Sequence, residues 1–222
     1  MFTKIAVTAA LALVAVVPAN AVTVLTLYNT GVDATGAATI GNGADLHWML
    51  ADGPAYNGAT NGTFPIGPWI SEDATSRWIT PTPDAGTLTD AVDNTYSFTE
   101  TFSLTGYSAA TASFTGRYAG DNAIDSITLN GVALVSSPGG YSSWTSFDST
   151  GGNFNAGDNT LTFVVRNFGN GGGVNPAGLL VQVVGTADLT SAVPEASVWS
   201  LMIAGFGMVG LGMRRRTAML AA

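Results

Sequence analysis

The sequence predicts an all-β sandwich held between two short apolar segments at the chain ends. Three observations carry this. Residues 95–104 alternate strictly between apolar and Thr/Ser positions, with one break at Glu100. Asn130-Gly131 sits between two apolar runs, the strongest short hairpin signal. Gly-, Asn- and Pro-rich turns separate many short segments, and no long stretch has helical periodicity.

The chain opens with Met1-Phe2-Thr3-Lys4, an apolar run from Ile5 to Val17, then Pro18 and Ala19-Asn20-Ala21. Charge, apolar core, helix breaker and Ala-x-Ala site follow the order of a secretory signal peptide. Residues 1–21 are therefore expected to form a signal helix cleaved at the Ala19-Asn20-Ala21 site, leaving a mature chain that begins near Val22. The β-domain is expected over 22–192.

Residues 22–28 read as a first strand, and 31–68 as a hairpin with long Gly- and Asn-rich loops. Residues 81–86 form a loop. In 95–104, Tyr96, Phe98, Phe102 and Leu104 share one face. Ala112 and Phe114 lead into Arg117-Tyr118, and Ile127 and Leu129 alternate with Ser126 and Thr128. Asn130-Gly131 turns the chain into 132–135, and 136–149 reads as a loop. Gly157-Asp158-Asn159 introduces 160–166, where Leu161, Phe163 and Val165 alternate with polar residues. Residues 169–173 form a glycine-rich connection. Residues 179–184 are apolar on both faces apart from Gln182, which predicts a central strand.

The domain's charge is one-sided. Arg77, Arg117 and Arg166 are its only basic residues, against fourteen Asp and Glu, for a net charge of about −11, and it has no lysine. Nucleic acid and anionic lipid reward a basic surface, so the domain is not expected to bind either. With no cysteine, disulfides, thiolate nucleophiles and iron–sulfur clusters are excluded.

Residues 198–213 are apolar and uncharged, and Arg214-Arg215-Arg216 follow at once. This predicts a short transmembrane helix with a basic stop that stays cytoplasmic, and a cytoplasmic tail over 217–222. Gly205-Phe206-Gly207-Met208-Val209-Gly210 matches the dinucleotide fingerprint, but that motif needs a preceding strand and a following acidic residue, and has neither here.

Val193-Pro194-Glu195, then Trp199, the Gly-rich apolar span and the tri-arginine, in this order at the end of the chain, resemble the PEP-CTERM sorting signal. Ala196 stands where the commonest form of that signal has a second proline. The resemblance implies a substrate of an exosortase, a membrane transpeptidase that cuts near the Pro-Glu pair. It also implies export to the surface or the biofilm matrix of a Gram-negative bacterium that makes extracellular polysaccharide. Pro194 disfavours helix in the residue before it, which suits an extended cleavage peptide.

Within the domain, Trp78-Ile79, Gly116-Arg117-Tyr118-Ala119-Gly120-Asp121-Asn122, Leu129-Asn130-Gly131, Gly157-Asp158-Asn159-Thr160-Leu161, Asn167 and Asn175-Pro176-Ala177-Gly178-Leu179 form an ordered run. It looks like the jelly-roll modules related to galactose-binding domains, a resemblance that implies a jelly-roll β-sandwich and, for many such modules, sugar binding.

Trp48, Trp69, Trp78, Tyr141 and Trp144 are candidates to stack on sugar faces, against the plainer role of filling the core; Trp144 and Tyr141 are preferred. Asp121, Asn122 and Asp125 are candidate calcium ligands, against turn formation; no other cofactor is expected. His47 is the only histidine, and no Gly-x-Ser-x-Gly elbow accompanies it. Glu72 and Glu100, the domain's only glutamates, would have to form any glutamate pair for glycoside hydrolysis. The expectation is a non-catalytic surface or matrix protein that meets the export machinery, an exosortase, the membrane and polysaccharide. The alternatives are a polysaccharide hydrolase and a structural protein with no ligand.

Overall fold

The computed structural model describes residues 22–24, 26–58, 67–190 and 196–219. The signal segment with Ala19 and Ala21, and the Val193, Pro194 and Glu195 motif, lie outside the described residues. Residues 21–191 make one compact unit, and the C-terminal helix belongs to another.

The β unit is antiparallel throughout its strand pairings. Its described strands are β1 (Val22–Val24), β2 (Ala44–Leu50), β3 (Gly53–Asn57), β4 (Ile79–Thr80), β5 (Asn94–Ser103) and β6 (Ser113–Asp121). They continue as β7 (Ala123–Leu129), β8 (Val132–Ala133), β9 (Thr145–Asp148), β10 (Asp158–Asn167) and β11 (Gly178–Asp188). Hydrogen bonding runs in the order β8-β7-β10-β5-β2-β3-β4-β11-β6-β9, with β1 added to β11. The two ends of this path face each other. Phe163 on β10 meets Phe147 on β9 and Tyr118 on β6, with ring centroids 5.2 and 5.7 Å apart. The sandwich-like core lies between the halves.

The alternating segments become the long strands. On β10, Leu161, Phe163 and Val165 are buried while Thr160, Thr162, Val164 and Arg166 are partly exposed. Period-2 alternation buries one face of a strand and solvates the other. β11 lies inside the sheet, with β6 on one side and β4 and β1 on the other, as its two-sided apolar sequence requires. Asn130 and Gly131 have φ of 52° and 78°, the two positive values of a type I′ turn, and they join β7 to β8.

Some expectations need correction. The first strand ends at Val24 rather than at residue 28. The chain from Tyr28 to Gly31 instead passes between elements, tied to both halves of the sandwich. β8 covers only Val132–Ala133, and the loop expected over 136–149 contains β9. Ile79–Thr80 is a strand, although its surroundings show no alternation.

The break at Glu100 has a physical meaning. Glu100 lies on the inward face of β5 with Phe98 and Phe102 and is 1% exposed. Its Oε1 accepts a hydrogen bond from the Tyr28 N–H at 2.6 Å, and its Oε2 has no hydrogen-bond partner among the described residues. Burial, reinforced by the nearby charge of Asp45, pushes its carboxyl well above the usual range despite the Tyr28 bond.

In the C-terminal unit, α1 (Ala196–Met219) is one continuous helix. Gly205, Gly207 and Gly210 all fall inside it, so they are not the strand-to-helix turn of a dinucleotide site. Trp199, Leu201, Ile203, Phe206, Met208 and Val209 are exposed on it. Among the described residues no helix is long and apolar enough to cross a membrane. The transmembrane assignment of 198–213 therefore gains no support. An uncharged run of this length rises only about 24 Å as a helix, short of about 30 Å of hydrocarbon.

Glu100→Gln keeps an acceptor for the Tyr28 N–H and removes the buried charge. A group whose carboxyl is raised in the folded state stabilises fully at low pH and loses that contribution as pH rises above its unfolded value. Urea unfolding is therefore expected to show a wild-type midpoint that falls between pH 5 and pH 8 and a smaller fall in Glu100→Gln. Glu100→Ala removes the acceptor and leaves a void, and should cost about 2–4 kcal/mol at pH 5.

Candidate functional site

The outer face of β9, β6 and β11 carries the candidate site. Side chains pointing away from the core alternate along these strands. Thr115 and Arg117 come from β6, Ser146 and Asp148 from β9, and Gln182 and Val184 from β11. The register sets Arg117 opposite Gln182 on one side and Ser146 on the other. A groove of about 860 Å3 lies over this face, bounded also by Asn29, Thr75 and Val135.

At one end of the face the sheet is covered. Ala119 and Leu180 are buried beneath Trp69 and Trp78, whose rings lie 4.3 Å apart, and Ile70, Tyr141 and Trp144 pack against this cluster. The Trp78 indole donates to the Ile70 carbonyl, and the Ile70 N–H donates to the Tyr141 carbonyl. The two loops that carry the tryptophans and Tyr141 are thus bonded to each other.

A chain of polar contacts leads from this cluster into the groove. The Arg117 guanidinium lies 4.2 Å from the centre of the Trp144 ring. Arg117 Nε donates to Gln182 Oε1 at 2.8 Å. Gln182 Nε2 in turn lies within 2.7–2.9 Å of Asp73 Oδ2, Thr75 Oγ1 and Ser76 Oγ. Cation–π contact and a shared amide fix the guanidinium plane before any ligand arrives.

The candidate stacking residues now separate. Trp48 is fully buried in the main core, tilted against Phe163, with its indole N–H on the Tyr28 carbonyl. Trp78 is also fully buried, and Trp69 is 8% exposed. None of these three offers a ring face to a sugar, which corrects their candidacy. Trp144 and Tyr141 are half-buried at the end of the groove face. Sequence reasoning missed Arg117 and Gln182 as site residues. Their signal was Gln182 as the one polar residue within 179–184 and Arg117 as the one basic residue of β6.

The three candidate calcium ligands each have another partner. Asp121 Oδ2 accepts from the Trp69 indole at 2.9 Å. Asn122 Oδ1 accepts from the Phe168 N–H at 2.6 Å. Asp125 pairs with Arg166 at 2.8 Å. Among the described residues no group of three or more His, Asp or Glu side chains is placed to hold a metal ion.

The candidate hydrolytic residues are likewise engaged elsewhere. Glu72 accepts from the Trp78 N–H and pairs with Arg77 at 3.0 Å, whereas Glu100 lies inside the main core. The acid nearest Glu100 in effect is Asp45, which is buried and accepts from the backbone N–H groups of Gly31, His47 and Trp48. His47 stacks on Tyr28, with ring centroids 3.7 Å apart.

No family model matches the chain, and neither does any curated protein or solved structure.

Asp121 gives a pH test of the aromatic cluster. Burial pushes its carboxyl up to about 7, against the lowering effect of the Trp69 hydrogen bond. Its contribution is full below the ordinary aspartate value of 3.8 and is lost as pH climbs through about 7. Asp121→Asn keeps an acceptor for Trp69 and removes the titration. Its thermal midpoint should therefore fall less than that of the wild type between pH 5 and pH 8, as read by Trp fluorescence.

Proposed function

We propose that the chain is an exported, non-catalytic surface or matrix protein whose jelly-roll domain binds extracellular polysaccharide on the β9-β6-β11 face. The observation that supports binding is a groove of about 860 Å3 lined by the hydrogen-bonded pair Arg117 and Gln182, with Trp144 lying against Arg117 beside it. That volume is in the range of ligand sites. Polar side chains held at fixed spacing beside a half-buried aromatic suit a sugar, which presents hydroxyls at its edge and C–H groups on its faces. Val184 and Val135 add exposed apolar surface at the same groove.

The export half of the reading rests on the chain ends. The signal-peptide order at 1–21 and the PEP-CTERM-like order from Val193 to Arg216 belong to a protein that is secreted and then cut by an exosortase. The exposed apolar side chains of α1, followed by Arg214, Arg215 and Arg216, suit a tail that meets the membrane before processing. The fourteen acidic residues of the domain suit a soluble cargo outside the cell.

Two measurements test the two halves. Intact mass of the protein from its native host should show loss of residues 1–21 and truncation near Pro194-Glu195; an unprocessed chain would overturn the sorting reading. In affinity electrophoresis against a panel of extracellular polysaccharides, Trp144→Ala should weaken retardation about tenfold with the fold intact by near-UV circular dichroism. Retardation unchanged by that substitution would remove this face from the reading.

A further inference from the structure

We infer that the groove selects uncharged glycans and rejects polymers of uronic acids. This rests on the carbohydrate-binding reading and names its ligand class. The argument begins with the domain's cations. Arg77 pairs with Glu72, Arg166 with Asp125, and Arg117 with Asp73 at 3.8 Å. The domain's three arginines are thus all paired with carboxylates, and Arg117 alone borders the groove.

Arg117 is also occupied in other ways. One face of its guanidinium is turned to Trp144 and its Nε is given to Gln182. Its remaining N–H groups can donate to a hydroxyl, but its charge is balanced by Asp73. One carboxylate, Asp148, lines the groove from β9. The Thr150 side chain and backbone N–H hydrogen-bond Asp148 and hold its carboxyl below the ordinary range, so it stays ionised. For Asp73, hydrogen bonds from Thr75, Gln182 and Ser76 together outweigh the upward push of burial, with the same result.

A uronate carboxylate entering this groove meets Asp148 on its wall and an Arg117 already paired with Asp73, a local excess of one negative charge in a domain of net charge about −11. Like charges repel more strongly beside a protein surface than in bulk water. A neutral sugar meets complementary chemistry instead. Asp148 is an acceptor for hydroxyls, Ser146 and Thr115 both donate and accept, and Arg117 donates.

The test is calorimetric titration of the full chain in mild detergent at about 20 mM salt, where screening is weak. The probes are neutral dextran, galactan, mannan and β-glucan, and the uronates alginate and polygalacturonate. At least one neutral polymer should bind, with both uronates at least tenfold weaker. Asp148→Lys should narrow or reverse that ratio, and Asp148→Asn should narrow it by a smaller factor without adding a cation. Uronates that bind the wild type as tightly as the neutral polymers overturn the inference and leave the carbohydrate reading standing. If no polymer of either class binds, both fall. A ratio unmoved by either Asp148 substitution, in variants with native circular dichroism, also overturns the assignment of selectivity to this groove.

Discussion

The sandwich depends on one short segment, Tyr28 to Gly31, bonded to both of its halves. On one side, Tyr28 N–H donates to Glu100 on β5, and Gly31 N–H donates to Asp45 on β2. On the other, Thr30 N–H donates to the Val181 carbonyl and its hydroxyl accepts from the Val181 N–H, while Asn29 Oδ1 accepts from the Val183 N–H. A segment that runs between strands has backbone groups that no ladder satisfies, and leaving a buried one unpaired costs about 1–3 kcal/mol. Glu100 and Asp45 supply side-chain acceptors to these N–H groups, and burial raises both carboxyls above the usual range. Gly31 has φ of 66°, and a Cβ there would stand 2.2 Å from Arg77 Cβ, so the segment can pass only with glycine at this point.

The same clamp fixes the candidate site. Val181 and Val183 flank Gln182 on β11, so their bonds to Thr30 and Asn29 hold the strand at the level of the groove. Gln182 then orients Arg117, and Arg117 meets Trp144. Asn29 also donates to the Thr75 carbonyl, so the loop that holds Gln182 from above is tied to the same segment. The groove is therefore rigid for a reason located in the core rather than on the surface. A site whose polar groups are fixed in advance loses less entropy when it binds.

Much of the strand pattern was legible because burial on a sheet has period two. β5, β6, β7 and β10 follow from Phe98, Phe114, Ile127 and Phe163 and their alternating polar neighbours. What stayed hidden has a common cause. β4 and β9 are two and four residues long, too short for alternation to register. The path of Tyr28–Gly31 depends on long-range bonds that have no local signature. Glu100 was visible as an irregularity, but its meaning required the partner at Tyr28, which lies on another part of the chain. The site was legible only at Trp144 and Tyr141. Arg117 and Gln182 become a pair through the β6–β11 register, which no single segment encodes.

The outer strands show how so acidic a domain and so open a sheet are compatible. The pairing path ends at β8 and β9, of two and four residues, so little backbone is left to recruit another chain. Asp148 sits on β9, and the domain's excess of carboxylates surrounds the rest. Uniform negative charge repels a second copy at long range. The three arginines lower this charge only from about −14 to about −11, and each lies beside an acid rather than in a basic patch. The net charge of about −11 also sets the sign of the field at the groove, where Asp148 adds a carboxylate of its own.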